Sequence, residues 1–484
     1  MNDNGRWRNP ESISAAQYAI VEAAAAREGV TFEIGHQDGH PLHFWQRDHI
    51  LVTDDVDETK NPDLLRLGAV LAPDAGNGLQ RVRKDMVKLL KLEKARRDNG
   101  VPTTREIVAE LNTRKDLHNK VFVNNLMYVT HGDGANICPA AEPTPRRSYP
   151  QTKPYPPVNT DVDGGADVSI TVIDTGMPRD ISAHTWLLGN HVMTVPELEE
   201  EGHTYDGDGY ISPHAGHGMF IAGVIRCVAP RARVRVLNSL RWSGSMTESG
   251  VAQAILDVLD EAEPPKIISL SAGYMVDHAV GDDPSAMRRV MWRLQQDDCD
   301  TVLVAATGND GHGPNDHGLF YPAAFANECQ EYVTDGTLIA VGALREDRKG
   351  RACFTNYGDW VTVYEEGENL VNVFPAGRYR YREPVSGATP PTCIYYPDDP
   401  IQQGCTCVSA PRQDSTAIFS GMAAWSGTSF ATPLVVGRLA RRMTELGTDA
   451  SPRAAAQDLL KDRQDLIDAG DGETLRVFPE PAVG

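Results

Sequence analysis

A chain of 484 residues exceeds one ordinary core and by length alone suggests roughly three domains' worth of polypeptide. Its 41% apolar content, with 43 Gly and 32 Pro, is globular α/β material and excludes a disordered or fibrous chain. A formal net charge of −21 argues against nucleic acid and against anionic membrane as partners, since both need clustered Lys and Arg. No stretch approaches the roughly 18 uninterrupted apolar residues of a membrane span. The most apolar N-terminal run, Ala15 to Ala26, is broken by Gln17 and Glu22 and lacks the basic flank of a signal peptide, so a cytoplasmic location is expected. The eight cysteines are too dilute for a disulfide scaffold, and reduced thiols are the default. Cys393, Cys405 and Cys407 cluster in a Pro-rich stretch, but two thiols separated by one residue lack the usual zinc spacing.

In chain order, residues 1–131 read as a small α+β unit. His49 to Thr53 and Val121 to Thr130 are predicted strands from their β-branched and aromatic content. Between them, Asp85 to Arg97 is a predicted helix, with Met86, Leu89 and Leu90 apolar and a stop at Asn99-Gly100. Thr103 to Leu117 is a second, opening with the capping-box pair Thr103 and Glu106. Residues 132–166 turn to Pro, Thr, Gly and Asp, the composition of a linker.

From residue 167 to the end, strand and helix alternate. Val168 to Ile173, Val234 to Leu240, Ile267 to Leu270, Thr301 to Ala306 and Leu338 to Val341 are strand-like. Thr247 to Ala262 and the stripe Met287, Val290, Met291 and Leu294 are helical. The alternation predicts an α/β fold, a doubly wound and mostly parallel sheet flanked by helices. The apolar stripes are core, and there is no repeat of solenoid period.

Four strand or helix ends carry chemistry. Asp174 follows the apolar Val172-Ile173, His217 opens a helix of small and apolar residues, Asn309 ends Ala305-Ala306-Thr307-Gly308, and Ser429 sits in Ser426-Gly427-Thr428-Ser429. Taken singly, each also reads as a cap, a turn residue or a core histidine. Together they supply a carboxylate, an imidazole, an amide donor and a hydroxyl at the carboxyl ends of strands and the starts of helices, where α/β sheets build their sites. A hydroxyl attacks a carbonyl only with a base in reach, the base needs a carboxylate to fix its tautomer, and the oxyanion needs donors.

These segments resemble the signatures of the subtilisin-like serine peptidases, or subtilases, from about Asp167 to Met443. Val172 to Gly176 is similar to the Asp motif and His217 to Gly223 to the His motif. Gly308-Asn309 is similar to the oxyanion segment, and Gly427 to Pro433 to the Ser motif. The connecting Val228-Ala229-Pro230, Tyr321-Pro322-Ala323 and Phe354 to Tyr364 also fit. The resemblance implies a serine endopeptidase with Ser429 as nucleophile, His217 as base, Asp174 as orienting carboxylate and Asn309 as oxyanion donor. It implies that Ser271, Ala272 and Gly273 form the wall of the first specificity pocket. Trp242, Ser243 and Gly244, running to Ser245, then form the edge that pairs with extended peptide or protein substrate. No cofactor is required by this chemistry.

The sequence departs from the family at Met219, where Thr is usual, and at Phe220, in place of a frequent second His; packing and subsite shape are expected to change, not the triad. Residues 376–425 read as an insertion before the nucleophile. The different-class alternative is a catalytically silent subtilase fold that binds peptides or proteins as a regulator. The N-terminal domain resembles, more weakly, the family's α+β propeptide, implying an intramolecular inhibitor whose tail, Ile137 to Pro150, lies near the cleft. An unrelated accessory domain is the alternative.

Other chemistries fail on the residues. Asp174-Thr175-Gly176 matches one half of an aspartic-protease pair, but no second Asp-Thr-Gly or Asp-Ser-Gly exists. An esterase elbow at Ser429 would need a later His, and the last is His317. A sedolisin-type peptidase shares the Gly-Thr-Ser motif but carries Glu where this chain has His217. Asp206-Gly207-Asp208-Gly209 resembles the middle of a calcium loop, yet the register puts Thr204 and Ala215 at the end-ligand positions. A Gly-rich turn is the simpler reading there, with a structural calcium the alternative.

Overall fold

In the computed structural model the described residues are 19–37, 40–72, 87–94, 103–129, 142–158, 163–178, 181, 184–188, 204–276, 283, 285–311, 318–381, 416–447, 449–467 and 474–479. The central sheet has eight strands, in the spatial order Gln464–Ile467, Thr474–Val477, Val363–Glu366, Leu338–Leu344, Val302–Ala306, Ile267–Leu270, Ser169–Asp174, Arg233–Asn238. All neighbours run parallel except the first pair. The chain enters at Ser169–Asp174, steps outward to Arg233–Asn238, then returns to the other side at Ile267–Leu270. The order therefore reverses at the carboxyl ends of Asp174 and Leu270, where a doubly wound sheet leaves a crevice.

Side chains alternate between two cores, as a period of two requires. Ile170, Val172, Val302 and Val304 face the helices His217–Val228 and Thr428–Leu446. Ile173, Ile268, Leu270, Leu303 and Ala305 face the helices Glu248–Leu259 and Ser285–Leu294. The strands are buried on both sides, which is why they read as continuous apolar runs.

The N-terminal unit is an antiparallel sheet, ordered Val121–Tyr128, His40–Thr53, Val87–Leu92, Ala69–Leu71, with Phe32–Gln37 also on His40–Thr53. The helix Thr104–Asn112 covers one face and carries the predicted capping box, Thr103 with Glu106. It stops at Asn112, short of Leu117, and the chain continues in turns.

The helix predicted over Asp85 to Arg97 is corrected: its described part, Val87–Leu92, is a strand paired with His49 to Thr53. Leu90 and Leu92 pack under the helix Thr104–Asn112, while Val87 and Leu89 pack toward Glu248–Leu259 and Ser285–Leu294. A strand apolar on both faces mimics helical spacing over so short a run.

A third sheet has four strands. Leu370–Arg380 and Thr416–Trp425 form an antiparallel pair flanked by Thr144–Arg146 and Tyr210–Ile211. The strand Thr416–Trp425 leads directly to the Ser429 helix. Cys393, Cys405 and Cys407 and the middle of the expected insertion lie outside the described residues. Among the described residues no helix is long and apolar enough to cross a membrane.

Candidate active site

Asp174 ends its strand fully buried, and its Oδ1 accepts the Thr175 amide at 2.8 Å. His217 is the first residue of its helix, and its Nδ1 lies 2.8 and 3.0 Å from the two carboxylate oxygens of Asp174. A carboxylate can only accept, so Nδ1 carries the proton and Nε2 is left as a lone-pair base. Gly218 permits this approach: a Cβ there would meet the Gly176 carbonyl at 2.8 Å and the Asp174 Cβ at 3.2 Å. The left-handed Gly216, φ 77°, turns the chain into the helix.

The imidazole is ringed by aromatic groups. Trp425 stands edge-on at 5.5 Å and Phe430 at 5.3 Å between ring centroids. Phe220, the residue in place of the family's frequent second His, packs on Phe430 at 4.6 Å and on Trp425 at 5.8 Å.

Ser429 is the second residue of the helix Thr428–Leu446, preceded by Gly427 without a side-chain cap. It is therefore not the N-cap, and its hydroxyl donates instead to the Ser271 carbonyl at 3.3 Å. The Ser271 hydroxyl in turn donates to the Ser429 carbonyl at 3.0 Å. Phe430, next in sequence, is the ring against His217, so the Ser and His helices start side by side. They stay close where Gly437 meets Val228, a Cβ at Gly437 falling 2.5 Å from that of Val228. The entry loop is pinned by Gly427 N–H on the Gly367 carbonyl at 2.8 Å and by Asn369 N–H on Ser426 Oγ at 2.9 Å.

Asn309 closes the group. Its Oδ1 accepts both the Thr428 amide and the Thr428 hydroxyl at 2.9 Å. A backbone N–H can only donate, so this contact assigns the amide: oxygen toward Thr428, and Nδ2 as the end able to donate to an oxyanion. Asn356, fully buried, holds the segment in place, accepting from Asp310 N–H at 2.6 Å and donating to the Gly318 carbonyl at 2.8 Å. The first-turn amides of a 19-residue helix add the positive end of its dipole. The arrangement can deprotonate a hydroxyl and stabilise negative charge on a tetrahedral adduct.

The expected substrate edge and pocket wall are already paired. Ser245–Thr247 runs antiparallel to Leu126–Tyr128, Tyr128 exchanges two 3.0 Å backbone bonds with Gly273, and Val129 N–H donates to the Gly244 carbonyl at 2.8 Å. Gly244, φ 81°, is needed there, since a Cβ would lie 2.6 Å from Val129 Cγ2. Ser243 Oγ bonds the Pro213 carbonyl, Ala272 is fully buried, and the Trp242 side chain turns inward to stack edge-on against Phe32 at 5.8 Å. The segment in this position is thus Leu126–Val129, upstream of the expected Ile137 to Pro150. Within the latter, Thr144–Arg146 pairs with Met422 to Ala424, and residues 137–141 lie outside the described residues.

The family model described as the subtilase family matches residues 165–476, well over half of the chain. The chain belongs to the subtilase family. This subtilase is 29% identical over 270 residues to a thermophilic serine proteinase of Bacillus sp. (strain AK1), covering 51% of this chain and 57% of that protein. It is also 29% identical over 239 residues to subtilisin Savinase of Lederbergia lenta, covering 47% and 73%. Over the first two relatives matched, the subtilase thus spans between about half and three-fifths of their length, the second being an alkaline protease of Alkalihalobacillus alcalophilus at 52%. Among solved structures it is similar to fervidolysin from Fervidobacterium pennivorans, a keratinolytic enzyme related to subtilisin, with TM-score 0.49, 16% identity, and coverage of 93% and 63%.

Elsewhere in the subtilase, Asp206 Oδ1 accepts from Asp208 N–H at 3.0 Å and Tyr210 N–H at 2.9 Å, so this carboxylate oxygen ties the Gly-rich turn. No group of three His, Cys, Asp or Glu able to hold a metal occurs among the described residues. Burial pushes the Cys227 thiol up to about 12, so it stays protonated and non-nucleophilic. Sequence reasoning missed the aromatic ring around His217 and the part played by Glu248. Glu248 is fully buried and accepts from Asn125 Nδ2 at 3.2 Å and from the Ala286 and Met287 amides at 2.7 and 3.1 Å. The only signal for it was a charge in the first turn of a helix whose apolar stripe faces the core.

Proposed function

We propose that this chain is a serine endopeptidase that hydrolyses peptide bonds through an acyl-enzyme. The observation that carries the reading is the Asp174–His217 pair, which fixes Nε2 as a base beside the helix that presents Ser429. In this reading His217 takes the Ser429 proton as Oγ attacks the carbonyl carbon, forming the tetrahedral adduct. Asn309 Nδ2 and the first-turn amides hold the oxyanion, and His217 returns the proton to the leaving amine. Water then attacks the ester by the same route in reverse. Every group required comes from the chain, so no cofactor enters the chemistry. Labelling of Ser429 by a fluorophosphonate, with loss of label and turnover in Ser429→Ala, is the expected result. A folded chain that never labels would instead support a silent peptide-binding relative.

The N-terminal unit acts in this proposal as an intramolecular inhibitor. Its support is the strand Leu126–Val129, which uses the backbone groups of Gly244 to Thr247 and Gly273 that an extended peptide substrate would use. Ser429 and Asp174 are fully buried and His217 is 2% exposed, as a latent form requires.

A further inference from the structure

The register of Leu126–Val129 also defines where a substrate side chain would go. Tyr128 faces Gly273 in an antiparallel bridge, so a polypeptide in this register sets the residue two places onward opposite Ser271. The Ser271 carbonyl is the group touched by the Ser429 hydroxyl, at 3.3 Å. The residue opposite Ser271 is therefore the one whose carbonyl meets the nucleophile, immediately before the scissile bond. In an extended chain, residues two apart point the same way. The Tyr128 ring meets the Phe320 ring edge-on, with centroids 5.8 Å apart, so the side chain before the scissile bond is directed to the same face of the cleft.

Phe320 fills that face. A Cβ added to Gly273 would fall 2.4 Å from its Cε1, and one added to Gly308 2.9 Å from its Cγ. One ring thus spans from the Ser271–Gly273 wall to the segment that carries Asn309, and it is fully buried. Its backbone is fixed by pairing of Phe320–Tyr321 with Tyr274–Met275. Gly318, two residues upstream, is held by Asn356 Nδ2 at 2.8 Å. These bonds hold the backbone that carries the ring, and displacing that backbone would break them.

We propose that Phe320 is a specificity-determining residue that closes the pocket for the residue before the scissile bond, restricting cleavage to small side chains such as Gly, Ala and Ser. This rests on the serine-endopeptidase reading. The test uses the full chain incubated to constant activity, with active sites counted by fluorophosphonate and peptide substrates differing only in Ala or Phe before the cleaved bond. Wild type is expected to favour Ala in kcat/KM by about tenfold or more, and Phe320→Ala to raise the Phe substrate by about 10–100-fold, the scale of pocket discrimination by apolar volume. Phe320→Leu, which keeps more of the packing, shifts the ratio in the same direction by less. A wild type that prefers Phe, or a labelling-competent Phe320→Ala with an unchanged ratio, overturns the assignment alone. A wild type that never labels overturns the peptidase reading and this assignment with it.

Discussion

At the scale of single residues, the site depends on hydrogen bonds whose direction is forced. Asn309 is the clearest case, because a donor-only backbone amide decides which end of the side chain faces Thr428. Asn309→Ala removes a preorganised donor while leaving the Asp174–His217 pair intact. Turnover is expected to fall by about 10²–10³-fold, a magnitude borrowed from the corresponding donor of subtilisin, with KM little changed. An equal loss through KM would mean that Asn309 binds ground state rather than oxyanion. The residues of this group were legible in the sequence because each sits at an element end beside small residues. The orientation of the Asn309 amide was not legible, since it depends on a partner 119 positions away in the chain.

At the scale of elements, Glu248 joins three of them: its own helix, the start of Ser285–Leu294, and the strand Val121–Tyr128 through Asn125. Burial pushes its carboxyl up to about 7, against the opposing pull of the donors around it. Tyr274, raised well above 10 by burial, stays neutral beside it. Between about pH 4.5 and 7 the folded chain keeps a proton that the unfolded chain has lost. The stability this group contributes is thus complete below pH 4.5 and is lost as pH rises through 7. The denaturant midpoint of the chain is expected to fall over that window, and Glu248→Gln to flatten the fall; an unchanged slope in the variant would refute the assignment. The strand Val87–Leu92 carries the complementary lesson. Its residues face two cores, and the second is supplied by helices more than 150 positions later in sequence, so local periodicity could not report it.

At the scale of the molecule, the subtilase unit and the N-terminal sheet share a continuous apolar core, with Phe32, Phe44, Leu51, Val87 and Leu89 packed in the same cluster as Val251, Ile255, Val290 and Leu294. The salt bridge from Arg241 to Glu28, at 2.8 Å and largely buried, fastens the same boundary. Strand pairing at Tyr128 adds direction to this apolar contact. Tyr128→Pro deletes the N–H that donates to the Gly273 carbonyl and places a ring where the ladder must pass. Fluorophosphonate labelling of the uncleaved chain is expected to become about tenfold faster, the scale of one buried backbone bond lost with its partner left unsatisfied. Labelling at the wild-type rate would show that this strand does not limit access to Ser429.

The sequence alone determined the α/β class, the alternation of strand and helix that builds the central sheet, and the four side chains of the candidate site. Each of these is written locally, in apolar periodicity and in polar residues at element ends. Tertiary structure decided which end of Asn309 donates, that both faces of Val87–Leu92 are buried, which segment lies along Gly244 and Gly273, and that Phe320 stands between Gly273 and Gly308. These depend on contacts between residues far apart in the chain, and one-dimensional pattern carries no record of such distances.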